Sequence, residues 1–280
     1  MRFVPVVLVI AAYLAGWLPG GARGLADAPP PPQYVSLGDS LAVSIQPDPR
    51  GHDRATSEGF SEQVWRARAA RMPTLTLAKL GRGGETAASM IKSSRRGASQ
   101  LELAEEHLRA GPVALVTIYI GANEVEGCAR TTSFDADCVE RGLASLRRSL
   151  PTIVKRLRAA GGKNLRIIGI NYYNSFLGRW VTGADGRRLA RASVPVERAI
   201  NATLGEIYAS AHIPVADVEE RFATGVLNQW VKTRSYGRVP VAVANTCRWT
   251  WACSARYDDH TNTAGYRVIA RSVLALLHSS

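Results

Sequence analysis

Val113-Ala114-Leu115-Val116-Thr117-Ile118-Tyr119-Ile120 is the stretch from which the fold is read. It is almost continuously apolar, and Gly121-Ala122-Asn123 stops it. A strand without a polar face is covered on both sides, which is the situation of a central strand in a parallel sheet. Outward from it, shorter runs at Tyr34-Val35-Ser36-Leu37, Leu75 to Leu80, Leu165 to Ile170 and Pro214 to Asp217 read as four further strands. Between and after them, helical patterning predicts helices over 60–70, 86–91, 100–109, 139–160, 196–211 and 264–278. Gly161-Gly162 closes the longest of these. Strands alternating with helices imply βαβ units and a mostly parallel sheet with helices on both faces. Residues 171–193 read as an irregular loop over the active face, and the Trp-, Arg- and Cys-bearing segment 224–259 as an elaborated loop.

The chain has 280 residues, 46% of them hydrophobic, which is ample for a substantial core. Its N-terminus has the order of an export signal. Arg2 is followed by an uncharged apolar run from Phe3 to Leu18, then by Ala26-Asp27-Ala28 and Pro29-Pro30-Pro31-Pro32. The apolar run is shorter than the roughly 20 residues a membrane span needs, and Pro5 and Gly16 interrupt it. The expected organisation is a signal peptide over 1–28, a proline-rich lead-in over 29–33, and a single domain over 34–280. The mature protein is expected outside the cell, without stable membrane insertion and as a monomer.

The formal charge is +12, which suits contact with anionic surfaces. The basic residues are scattered apart from pairs such as Arg95-Arg96 and Arg187-Arg188, and no nucleic-acid motif accompanies them, so nucleic acid is not an expected partner. Four cysteines in an exported chain suggest two disulfides. Three connectivities are open. Pairing Cys128 with Cys138 and Cys247 with Cys253 is preferred, since each pair is close in sequence within a polar, irregular stretch. A zinc site is the alternative, but neither pair has two-residue spacing and no histidine accompanies them.

Each candidate chemical residue follows an apolar strand or opens the last helix. Ser40, in Gly38-Asp39-Ser40-Leu41, leaves the first strand through a tight turn, where a hydroxyl is exposed near free N–H groups. The rival reading is a helix N-cap. Gly84, in Gly84-Glu85-Thr86, lets a substrate approach a backbone N–H, or simply makes a turn. Asn123 offers an amide donor, or forms a turn. His260, in Asp258-Asp259-His260-Thr261-Asn262, is a candidate base with Asp258 or Asp259 to orient it, or part of a helix-start cluster.

The four blocks taken together resemble the GDSL family, the SGNH hydrolases. Ser40, Gly84, Asn123 and His260 stand in the family's order, and the resemblance spans about residues 34–278. Leu37-Gly38-Asp39-Ser40-Leu41-Ala42 and Gly84-Glu85-Thr86 look most like secreted actinobacterial-type members. The resemblance implies a flavodoxin-like three-layer α/β/α sandwich around a mostly parallel sheet. It implies Ser40 as nucleophile, His260 as base, and an oxyanion hole from Ser40, Gly84 and Asn123, with no metal or organic cofactor. The implied substrate is an ester of a lipid or an acylated glycan.

This chain departs from the family pattern at three places. Glu124 stands where Asp is usual, and it is expected to support its loop. Tyr257 occupies the usual acid position three residues before the histidine, so Asp258 is the expected acid, Asp259 the alternative, and a backbone carbonyl the fallback. Thr261 replaces the usual proline. Esterase or lipase activity is the leading expectation. Glycan deacetylation and a non-catalytic binding module are the alternatives; Trp230, Trp249 and Trp251 could stack on sugars, line an acyl pocket or belong to the core.

Overall fold

A computed structural model describes residues 29–94 and 97–278. The expected signal peptide lies outside the described residues. The elements in chain order are β1 (Gln33–Gly38), α1 (Ser40–Val43), a small antiparallel hairpin of β2 (Ile45–Pro47) and β3 (Asp53–Ala55), α2 (Phe60–Ala69), β4 (Thr76–Lys79), α3 (Ala87–Met90), α4 (Gln100–Ala110), β5 (Val113–Tyr119), α5 (Ala136–Gly161), β6 (Ile167–Ile170), α6 (Ala184–Ser210), β7 (Val215–Ala216), α7 (Val218–Phe222), the hairpin of β8 (Trp230–Thr233) and β9 (Gly237–Pro240), α8 (Val241–Trp249) and α9 (Thr263–His278).

Five strands form one parallel sheet in the order β4-β1-β5-β6-β7. Counted among themselves they run 2-1-3-4-5, the flavodoxin-like order, with the topological switch between β1 and β5. Helix α2 packs on α9, and α4, α5 and α6 pack side by side, giving the three-layer α/β/α sandwich. The last five residues of β5 are buried, as its apolar run requires. Helix α5 buries Val139, Leu143, Leu146, Leu150, Ile153 and Leu157, a stripe at the spacing of one helical face.

Two loop expectations are corrected. The 171–193 segment is helical over much of its length, because α6 begins at Ala184 and carries Pro195 in its interior. Proline removes one N–H and crowds one carbonyl, but the buried stripe of Leu189, Ala190, Ser193, Ile200 and Leu204 runs straight through it. Packing therefore carries the helix past the residue that reads as its start. The 224–259 segment contains the β8–β9 hairpin and α8, elements too short to leave a periodic signature.

Both nearest-neighbour disulfides are present, Cys128–Cys138 and Cys247–Cys253. The first joins the loop after β5 to the opening turn of α5, and the second ties the end of α8 to the segment leading to His260. Among the described residues no helix is long and apolar enough to cross a membrane.

Candidate active site

A cleft of about 50 Å³, partly open to solvent, lies at the carboxyl ends of the strands, at the switch point between β1 and β5. Ser40, Asn123, Asp259 and His260 line it together with Asp39, Val125, Glu126, Phe134, Tyr172, Phe176 and residues of α6. Gly84 and Asp258 are not on its wall; Asp258 precedes Asp259, which is, and Gly84 precedes Glu85, whose carbonyl accepts from the lining residue Asn123.

Ser40 is the first residue of α1, and the cap of that helix is Asp39, whose Oδ1 accepts from Leu41 N at 2.9 Å. The cap reading of Ser40 is thus replaced by its neighbour, and the Ser40 hydroxyl makes no hydrogen bond among the described residues, to His260 or to any other group. Asp39 is almost fully buried and its Oδ2 accepts from Tyr172 Oη at 2.5 Å. Burial pushes its pKa up to about 6, against the pull of these hydrogen bonds and of the nearby His260.

Two loops meet beside Ser40. Asn123 Nδ2 donates to the Glu85 carbonyl at 2.9 Å, and Ala87 N donates to Glu124 Oε1 at 2.6 Å. One N–H of Asn123 therefore positions the Gly84–Glu85 turn, while its second has no partner among the described residues. Glu124 braces that loop in the manner expected of it. Gly84 has φ +71, and a Cβ there would meet nothing within 4 Å, so its requirement is one of backbone conformation. Thr86 caps α3 with a reciprocal capping box to Ser89.

The histidine segment is built on Tyr257, a non-glycine residue at φ 43. Asp258 Oδ1 accepts from both the backbone N and Nδ1 of His260, each at 2.9 Å. Asp259 Oδ1 stands 3.6 Å from Nδ1, too far for a hydrogen bond, and its carboxyl shares the cleft lining with Glu126, whose pKa burial and the nearby Asp259 raise to about 8. The helix-start role falls to Asn262, whose Oδ1 accepts from Gly265 N at 3.0 Å. Burial alone would lower the His260 pKa; the hydrogen bond that Nδ1 donates to Asp258 and the charges of Asp259, Asp258 and Asp53 outweigh it and raise it to about 9. Burial likewise works to raise Asp258, but the bonds to His260 hold it below the ordinary value.

Sequence reading missed the groups that fix the nucleophile turn from a distance. Gln100, at the start of α4, accepts from Gly38 N at 2.6 Å and donates to Gly38 O at 2.9 Å. Its Nε2 also reaches Glu85 Oε2 at 3.2 Å, linking the turns after β1 and β4. No local pattern marks such a contact, which spans 62 residues. The tryptophans stand elsewhere. Trp230 is exposed and meets Trp180 edge-on, Trp249 packs on Phe222, and Trp251 lines a separate hollow behind Asp258. Phe134 and Phe176, in edge-to-face contact, supply the cleft's aromatic wall instead.

Comparison with known proteins agrees with this geometry. Residues 36–268 match the family model of the GDSL-like Lipase/Acylhydrolase family. No curated protein sequence matches the chain. Among solved structures, an extracellular lipase from Streptomyces rimosus aligns over 89% of this chain and 99% of its own at 16% identity and a TM-score of 0.55. A phospholipase A1 from Streptomyces albidoflavus aligns over the same fractions at 16% identity and a TM-score of 0.53. At these identities the two structures speak for the fold.

Proposed function

The chain belongs to the GDSL-like lipase/acylhydrolase family, and from that premise we propose that it is a secreted serine esterase or lipase that cleaves carboxylic esters through Ser40, His260 and Asp258. The observation that carries this reading is the bond that His260 Nδ1 donates to Asp258, which leaves Nε2 free beside the cleft that also holds the unbonded Ser40 hydroxyl. Ser40 Oγ attacks the ester carbonyl while its proton passes to His260 Nε2. The oxyanion is held by the N–H groups of Ser40 and Gly84 and by the second N–H of Asn123, each such donor lowering the barrier by about 3–4 kcal/mol. Collapse expels the alcohol, which takes the proton from His260, and water then releases the acid by the same route. The apolar wall of Val125, Phe134, Phe176, Val196 and Ile200 favours the acyl chain of a lipid-like ester over a sugar. Export agrees with the two disulfides and with the expected signal peptide.

The test is a fluorophosphonate ester followed by peptide mass mapping. Labelling at Ser40 is expected, with loss of activity in step with labelling. Labelling elsewhere, or none, would sink the assignment and favour a binding module.

A pH dependence follows from the same geometry. Only neutral His260 can take the serine proton, so kcat/KM is expected to rise from neutrality and level off above pH of about 9. At pH 7 it should sit roughly 10²-fold below its plateau. Asp258→Asn removes the hydrogen bond that holds the ring and is expected to move the rise to lower pH and drop the plateau by roughly 10²–10⁴-fold. The stability sign is opposite. The folded-state pKa of His260 lies above its ordinary 6.5, so its contribution to stability is complete below pH 6.5 and is lost as pH climbs through about 9. A pH-stat rate profile and a Tm series over pH 5–10 check both; a rate that is flat from pH 6 upward overturns the first.

A further inference from the structure

Among the described residues the buried carboxyls have partners, with one exception. Glu62 pairs with Lys79 and accepts from Ser44. Glu105 takes a two-pronged contact from Arg156. Asp39 is satisfied by Tyr172 and Leu41 N, and Glu85 by Gln100 and Ser89. Glu197 has none among the described residues. It is 8% exposed, its Oε1 is wholly enclosed without a hydrogen bond, and no cation faces it. The charged group that influences it is Glu219, of the same sign. An enclosed polar group left unpaired is destabilising, and native proteins rarely carry one without a reason outside the bare fold.

Its place suggests the reason. Glu197 lies on the stretch of α6 that lines the Ser40 cleft, with Val196 and Ile200 beside it and Ser193 one turn earlier. The Ser193 hydroxyl is already committed, donating to the Ala190 carbonyl at 2.8 Å and accepting from Asn174 Nδ2 at 2.8 Å. Glu197 is therefore the uncommitted polar group on an α6 wall that is otherwise apolar. Burial, with Glu219 nearby, pushes its carboxyl well above the ordinary carboxylate range and so favours the neutral acid, which offers an O–H donor beside a carbonyl acceptor. That pair matches an alcohol, which both accepts and donates. An ammonium group would instead have to lose its water among Val196, Ile200, Phe134 and Phe176.

We propose that Glu197 is a specificity-determining residue, hydrogen-bonding a hydroxyl carried on the acyl chain of the ester. The proposal rests on the ester-hydrolase reading above and adds the substrate class: hydroxylated acyl esters over their plain counterparts.

The experiment uses straight-chain acyl esters and matched esters with the hydroxyl walked along the chain, plus the corresponding non-hydrolysable amides for calorimetry. One hydroxyl position is expected to raise both kcat/KM and amide affinity over the plain compound, by about 10²-fold at most. Glu197→Leu should abolish that ratio without lowering Tm, and Glu197→Gln, which keeps a donor and an acceptor, should retain part of it. Absence of any preferred position in the wild type, an unchanged ratio in Glu197→Leu, or tighter binding of an amino-substituted amide would each overturn the assignment. The amide series separates the two readings. Discrimination in binding with no ester hydrolysed removes the esterase reading and leaves Glu197 in place; hydrolysis without discrimination does the reverse.

Discussion

Ser40→Ala is expected to lower kcat on simple esters by a factor on the order of 10⁶, with Tm unchanged. The kinetic half follows from the proposed chemistry, since alanine has no oxygen to acylate. What survives is the positioning of the ester and the oxyanion donors, including the backbone N–H of residue 40 itself, which should leave a faint residual rate. The stability half follows from the local structure. The Ser40 hydroxyl bonds to nothing among the described residues and the cap of α1 is Asp39, so alanine removes no bond or cap there. Thermal melts and single-turnover assays on the same preparation separate the two. A melt lowered by several degrees would mean that Ser40 serves the fold, and activity within tenfold of wild type would mean that another group is the nucleophile.

The legible parts of this molecule were those written in local sequence. The run from Val113 to Ile120 announces a buried strand because no polar face interrupts it, and the sheet order follows once the other strands are placed. Ser40, Asn123 and His260 could be singled out because turn residues follow strands there, and all three line one cleft. The disulfide partners were near neighbours, so short loops determined them. The hidden parts depend on distant segments. Tyr172 reaches Asp39 across 133 residues, and Gln100 clasps Gly38 across 62. The first half of α6 was concealed by Pro195, because a local rule about proline loses to a buried stripe that continues beyond it. Glu197 was concealed for a different reason. Its sequence neighbours make it an unremarked helical glutamate, and only the enclosure of its carboxyl without a partner sets it apart.

Gly38→Ala is expected to destabilise the protein by roughly 4 kcal/mol or more, against about 1 kcal/mol for Gly84→Ala. Both glycines have positive φ, +143 at Gly38 and +71 at Gly84, so both substitutions impose backbone strain. They differ in what a methyl group would meet. At Gly84 it meets nothing within 4 Å. At Gly38 it would lie 2.0 Å from the Tyr119 carbonyl oxygen and 2.8 Å from its carbon. That carbonyl cannot yield cheaply, because it accepts from Asp39 N at 3.1 Å and Gly38 is paired with Tyr119 in the parallel register. Relief would require separating β1 from β5 at the switch point, which also displaces Ser40 and breaks the two bonds from Gln100. For a chain of this size the loss corresponds to a fall in Tm of roughly 10 °C, with activity failing earlier because the site opens before the sheet does. Differential scanning calorimetry of the two variants measures the contrast directly. Equal, small losses would show that the strand ends can part at little cost, and the rigid turn on which the placement of Ser40 depends would have to be abandoned.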